Sequence, residues 1–314
     1  MSAHTELVAD WEGRVRAMLA GSVQPGLARA GVRVLGAGMD SVAVSVTDAV
    51  GEYIVRMPKG EDGVESIARE ARLLPELGAA VSIPIPRYEF TAPNPLGPGE
   101  CCVYPAVPGE SLTDEDWYER GLLEQADTVR TVARFLDEVH AFPAARALEL
   151  GVELRDMRTE FAEDLDSVLA QVIPVLPSDA GRRLVEVWEG YLGEDTNFDY
   201  SLVLIHADVS LDHLLISGER ITGIIDFGDV QIGDPDYDLC YLWPDAGPEF
   251  VRRVQDCRGL PLDERLTRKL DFWVCSDSAI DILHAVEHDL PEFLDESVQR
   301  VCEALKRFDQ TGSV

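Results

Sequence analysis

No stretch of this 314-residue chain reaches the roughly 20 consecutive apolar residues that a membrane-spanning helix requires. Residues 1–19 carry Glu6, Asp10, Glu12, Arg14 and Arg16, and so lack the apolar centre of a secretion signal. The six cysteines, at 101, 102, 240, 257, 275 and 302, form neither a C-x-x-C pair nor a zinc-ligand spacing, which points to a reducing compartment. These absences together predict a cytoplasmic protein. Basic residues are also scarce: 27 Lys and Arg stand against 58 Asp and Glu, a formal net charge of −31. Such a surface repels nucleic acid and anionic membranes, so neither is expected as a partner, and it attracts polycationic small molecules. Solubility alone produces the same imbalance, so charge does not establish a substrate. With 46% hydrophobic and 27% charged residues and no biased repeat, the composition is that of an ordinary globular protein.

The length suits two domains or two lobes of one enzyme. Residues 5–20 carry Leu7, Val8, Trp11, Val15, Met18 and Leu19 at helical spacing, which predicts an amphipathic helix. Residues 32–35, 42–46 and 53–57 are β-branched runs, read as three antiparallel strands. Between the first two lie Gly36 and Gly38, which have no Cβ to hinder a phosphate. Opening a dinucleotide fold would require a helix directly after them, whereas residues 42–46 read as a strand. The strand at 53–57 places Arg56 before a helical stretch, residues 64–77, that contains Glu70. Lys59, the other cation nearby, lies across the pleat and past a proline. Residues 82–88 are extended by prolines, and residues 101–106 form another apolar run. From about residue 108 the pattern is helical, over 122–140, 160–176, 182–192, 248–258, 262–286 and 292–308. A β-rich part at 1–107 and a helical part at 108–314 are therefore expected, an α+β class.

The segment His206-Ala-Asp208-Val-Ser-Leu-Asp-His213, followed by Ile224-Ile-Asp226-Phe-Gly228, carries the chemistry. Phosphoryl transfer needs an acid to orient and deprotonate the acceptor hydroxyl, and donors that hold magnesium against the nucleotide phosphates. Asp208 fits the first task, and His213 with Asp226 the second. Residues 214–216 and 221–225 are short apolar runs joined by a loop of hairpin length, which would set His213 beside Asp226. Imidazole is an unusual partner for magnesium, which prefers oxygen. His206 reads as a residue that shapes the loop. Asp234, Asp236 and Asp238 read as structural, capping a following helix. Asp277, Asp281, His284 and His288 form one helical stripe, either a face for a cationic substrate or a solvated surface. For Trp243 and Trp273, core packing is the simpler reading.

Protein kinases carry H-R-D-L-x-x-x-N followed by D-F-G. Here the Asn is replaced by His213, and residues 202–242, LVLIHADVSLDHLLISGERITGIIDFGDVQIGDPDYDLCYL, resemble the aminoglycoside phosphotransferase family, particularly its 2''-aminoglycoside and macrolide kinase branches. The resemblance extends over about residues 30–245 and implies a bilobal protein-kinase-like fold. It implies transfer of the γ-phosphoryl of ATP or GTP, with Mg2+, to a hydroxyl of a sugar-containing antibiotic. Gly36 and Gly38 would cover the phosphates and Arg56 would neutralise them, paired with Glu70. Tyr104, Pro105, Ala106 and Val107 would line the base. Acidic charge favours an aminoglycoside over a macrolide. A macrolide 2'-phosphotransferase, a metabolic kinase of choline, homoserine or a sugar, and a nucleotide-binding pseudoenzyme remain alternatives. The chain is expected to act as a monomer.

Overall fold

A computed structural model describes residues 10–38, 40–49 and 51–311. The chain forms two compact units: a sheet unit of Met1–Thr113, Ala145–Val152 and Asp212–Val230, and a helical unit of Asp114–Ala144, Glu153–Leu211 and Gln231–Val314.

In the sheet unit, helix α1 spans Trp11–Ala20, with Val15 and Leu19 fully buried; Leu7 and Val8 lie outside the described residues. Strands β1 (Gly31–Ala37), β2 (Ser41–Thr47), β3 (Glu52–Pro58), β4 (Phe90–Pro93) and β5 (Glu100–Pro105) form an antiparallel sheet in the order β1-β2-β3-β5-β4. Alternation decides the faces. Val42, Val44, Val46, Val55, Met57, Cys101 and Val103 pack with α1 into one core. Cys102 and Tyr104, with partly buried Ile54, pack against Ile67 of helix α2, Gly60–Ala80. Each aliphatic side chain so buried contributes about 1.5–3 kcal/mol. Helix α2 runs three to four residues beyond the stretch expected at each end, because Glu61 and Asp62 suit a helix N-terminus.

The hairpin Leu214–Ser217 with Arg220–Ile224 also belongs to this unit. Gly218 turns it at φ 63°. It is tied down by Ile216 pairing with Glu110, by Thr222 Oγ1 donating to the Pro108 carbonyl (2.6 Å) and by the Ile224 amide on the Pro84 carbonyl (3.0 Å). Gly223 is required here, since a Cβ would lie 2.1 Å from Val107 Cγ1.

The helical unit includes Ala126–His140, Met157–Ser167, Ser178–Gly193, Pro248–Arg258, Glu264–Glu287 and Pro291–Thr311. Its stripe of Val129, Val132, Phe135, Leu136 and Val139 is buried, as the 3.6-residue period predicts. The helix expected over 160–176 is broken: after Ser167 the chain makes a π-helical turn at Val168–Val172 and a 3-10 turn at Ile173–Val175, where Pro174 cannot continue the ladder. Asp263 caps Glu264–Glu287 by accepting from Leu266 N at 2.8 Å. Phe161, Trp188, Tyr191 and Phe272 interlock edge-to-face and stacked, Tyr191 on Phe272 at 3.7 Å. Trp273 and Trp243 are core residues whose indole N–H groups donate to Tyr191 and Asp271. Among the described residues, no helix is long and apolar enough to cross a membrane.

Candidate active site

In the helical unit, strand Val203–Ile205 pairs antiparallel with Gln231–Gly233, and the chain leaves it through His206 into a turn where Ala207 adopts φ 68°. That left-handed conformation is unfavourable for alanine, so other bonds must hold it. They come from Asp238, whose buried carboxylate accepts the amides of Ala207 (2.7 Å) and His206 (3.3 Å) and meets His140 Nε2 at 2.8 Å. Burial alone would push the Asp238 carboxyl up; His140, His206 and the Ala207 amide outweigh it and hold it below its usual value. His206 is fully buried, and its Nδ1 accepts the Asp208 amide at 3.2 Å, so it shapes the loop. Asp208 is thereby presented half-buried on a turn fixed from beneath.

The same unit holds a cavity of about 220 Å³, lined by Tyr237, Cys240, Tyr241, Asp277, Arg300 and Glu303 among others. Burial, and after it nearby negative groups that include Asp277 and Asp208, raise both the Cys240 thiol and the Tyr241 hydroxyl. Desolvation and the neighbouring Asp281 push Asp277 up to about 6. One turn on, Asp281 pairs with Arg300 at 3.1 Å. His284 and His288 are exposed, their rings 4.2 Å apart, and do not line the cavity. Eleven residues of helix advance about 16 Å, which carries the stripe past the cavity.

In the sheet unit, β-register places Arg56 opposite Ala43 and Cys102. Its Nη1 donates to both oxygens of Glu70 (2.8 and 3.0 Å), its Nη2 to Asp226 (3.1 Å) and its Nε to Ser41 Oγ (3.0 Å). Glu70 also accepts from the Tyr88 hydroxyl (2.7 Å) and Ser66 (3.1 Å). Burial pushes the Glu70 carboxyl up, with Arg56 opposing. Both oxygens act as acceptors, so it is held as the carboxylate. Lys59 instead donates to the Gly38 carbonyl at 2.5 Å. The Gly38 amide meets the Ser41 carbonyl, and a Cβ on Gly36 would find open space.

The hairpin brings His213 and Asp226 together. Leu214 pairs with Ile224, the Ile225 amide bonds the His213 carbonyl, and His213 Nε2 lies 3.7 Å from Asp226 Oδ2. Asp226 has φ 65°, another strained non-glycine backbone. The next turn is anchored to α2, where Ser66 and Arg69 both donate to the Gly228 carbonyl. Tyr104 stacks on Tyr88 at 5.4 Å, Pro105 is exposed, the Ala106 amide meets the Glu52 carbonyl, and Val107 packs under the hairpin.

A model of the phosphotransferase enzyme family matches residues 31–273, more than three quarters of the chain. The chain belongs to this family. As a phosphotransferase it is a small-molecule kinase, and the five-stranded sheet and helical part are those of kinase-like relatives. The GDP complex of wild-type aminoglycoside 2'-phosphotransferase-IIIa is 28% identical, with 94% of this chain and 99% of that one aligned at a TM-score of 0.83. The GDP and kanamycin complex of APH(2")-IIIa is 28% identical over 93% and 98% of the two chains, TM-score 0.82. The macrolide 2'-phosphotransferase MphH from Brachybacterium faecium, as apoenzyme, shares the fold at 23% identity over 86% and 91%, TM-score 0.69.

Several residues of this phosphotransferase were not singled out by sequence reasoning: Ser41, Tyr88, His140 and Arg258. Only His140, at the polar end of an otherwise apolar helical stripe, left a signal.

Proposed function

We propose that the protein is an antibiotic O-phosphotransferase that moves the γ-phosphoryl of a nucleoside triphosphate to a hydroxyl of an aminoglycoside. The observation that carries this is the cavity lined by the Asp277 carboxylate, with Cys240 and Tyr241 of its lining feeling the charge of Asp208. The nucleotide and kanamycin in the relatives' complexes support the two substrate classes. In this reading residues 1–107 serve the nucleotide and residues 108–314 carry acceptor and catalytic groups.

Asp208 accepts the proton of the attacking hydroxyl, or orients it, as the oxygen closes on phosphorus. Arg56 neutralises phosphate charge and stays aligned through Glu70. Gly36 and Gly38 give the phosphates close backbone approach, and residues 104–107 wall the base. His213 and Asp226, 3.7 Å apart, would hold a divalent cation. Bound Mg2+ would supply charge neutralisation on the phosphates. A second-row consequence concerns Arg56→Lys, which cannot fork between Glu70 and Asp226. It should lower kcat/KM for the nucleotide about tenfold, the loss of one charge-assisted hydrogen bond, in steady-state kinetics.

The test is nucleoside diphosphate release by the purified chain with Mg2+ and ATP or GTP, offered kanamycin, a macrolide, choline or homoserine in turn. Turnover with the aminoglycoside is expected, and turnover with choline or homoserine alone would remove the antibiotic assignment. Asp277, raised to about 6, is charged above that pH and neutral below it. The acceptor KM should therefore rise as pH falls through about 6, while Asp277→Asn holds the higher KM and flattens that profile.

A further inference from the structure

We infer that Arg258, the last residue of the Pro248–Arg258 helix, is a positioning residue for Asp208: it fixes the tautomer of His140 and, through Asp238, the strained turn that presents the catalytic acid. The inference rests on the reading of Asp208 as the proton acceptor.

Arg258 is nearly buried, its side chain 5% exposed, and every nitrogen is used: Nε donates to Asp137 (2.8 Å), Nη1 to Gln255 (3.1 Å) and Nη2 to His140 Nδ1 (2.9 Å). Its placement follows from the helix end. Gly259 adopts φ 71°, and its amide and that of Leu260 close back on Asp256 and Gln255, the glycine stop that ends many helices.

A guanidinium has only donors. Nδ1 of His140 must therefore offer its lone pair to Arg258, and the ring proton must sit on Nε2, where it donates to Asp238 Oδ2 at 2.8 Å. A proton on Nδ1 would set N–H against N–H and cation against cation. The charged groups facing this imidazole are Asp238 from the Pro235–Leu239 turn, Arg258 from its helix and Asp137 on the imidazole's own helix, with His206 behind Asp238. Asp238 then has its two oxygens committed to Ala207 N and to His206 N with His140. That is the bonding that holds Ala207 at φ 68° and so directs Asp208. If His140 instead carried its proton on Nδ1, Nε2 would face Asp238 as a second acceptor, and the turn would lose its support.

The test joins spectroscopy to kinetics on the full chain. Long-range 1H–15N correlation spectra, with His140 assigned through His140→Gln, should show the Nε2–H tautomer in the parent chain. In Arg258→Met the same signals should shift to a mixture of the two tautomers. Turnover should fall about ten- to a hundredfold in kcat, with the nucleotide KM within about twofold, as expected for displaced rather than missing machinery. Arg258→Lys, which keeps one cationic donor, should restore much of both readouts, and it stands in if the Met variant does not fold. Unchanged His140 signals and kcat in the variants would overturn the inference. Signals that move as described in a chain without turnover on any acceptor would count against the proposed activity and leave the role of Arg258 standing.

Discussion

Asp208→Asn is expected to lower kcat by about 10²–10⁴, the usual contribution of a positioned general base, and to leave nucleotide KM and thermal stability nearly unchanged. Two jobs that one loop could have merged fall to different residues. The backbone around Asp208 is held by Asp238, His140 and His206, so removing the Asp208 carboxylate takes away the proton acceptor and leaves the scaffold. Asparagine keeps the size and a carbonyl oxygen that can orient a hydroxyl, but it cannot take a proton at neutral pH. Single-turnover rates of diphosphate formation, with melting curves on the same preparation, check both halves. A kcat within about threefold of the parent would end the assignment of Asp208 as base.

The largest stability loss is expected at Lys269→Met, about 3–5 kcal/mol, because it strands charge in the interior. Lys269 is fully buried in the Glu264–Glu287 helix and donates to Asp234 (2.5 Å, also fully buried) and Asp236 (2.8 Å), with the rings of Trp273 and Tyr200 near its ammonium. A methionine fills the space but leaves the two carboxylates without their buried cation. Asp234 also caps the Pro235–Leu239 turn by accepting the Asp236 amide at 3.0 Å, and that turn carries Asp238. Denaturation of the single variant against Lys269→Met with Asp234→Asn decides the cause: the double variant should be more stable than the single one. If the second change adds a further loss, the charge argument fails and simple misfit explains the first.

How much could be read in advance depends on how far apart in the chain the partners lie. Asp208, the hairpin and the D-F-G segment fall within a few tens of residues, and strand periodicity with a loop of turn length was enough to bring His213 to Asp226. The Arg56–Glu70 pair was legible through the family resemblance, which sets an acid of the following helix, here 14 residues on, against the cation of the strand. The support of the Asp208 turn was not: His140 reaches Asp238 across 98 positions and Arg258 reaches His140 across 118, and no local pattern encodes such meetings. The acids at 234, 236 and 238 read alike, yet one caps a turn beside a buried lysine and another holds the catalytic loop. The sequence pattern offered all three the same capping role and could not assign separate partners. The π-helical turn was hidden for a similar reason, since Val168–Val172 keeps helical composition while changing its ladder.

The sheet unit is assembled from three separate stretches, the last ending at Val230. During synthesis its five strands emerge first, yet the hairpin bonds to residues 84 and 108–110, and the Ser66 and Arg69 bonds to Gly228, must wait for more than a hundred further residues. At ribosomal speeds of about 5–20 residues per second the nascent sheet spends several seconds without them. A fragment cut at Thr113 inherits the same gap permanently, with Arg56 lacking Asp226 as a neighbour. A fragment meant to keep the sheet unit whole therefore has to run to Val230 and not stop at the end of the strands.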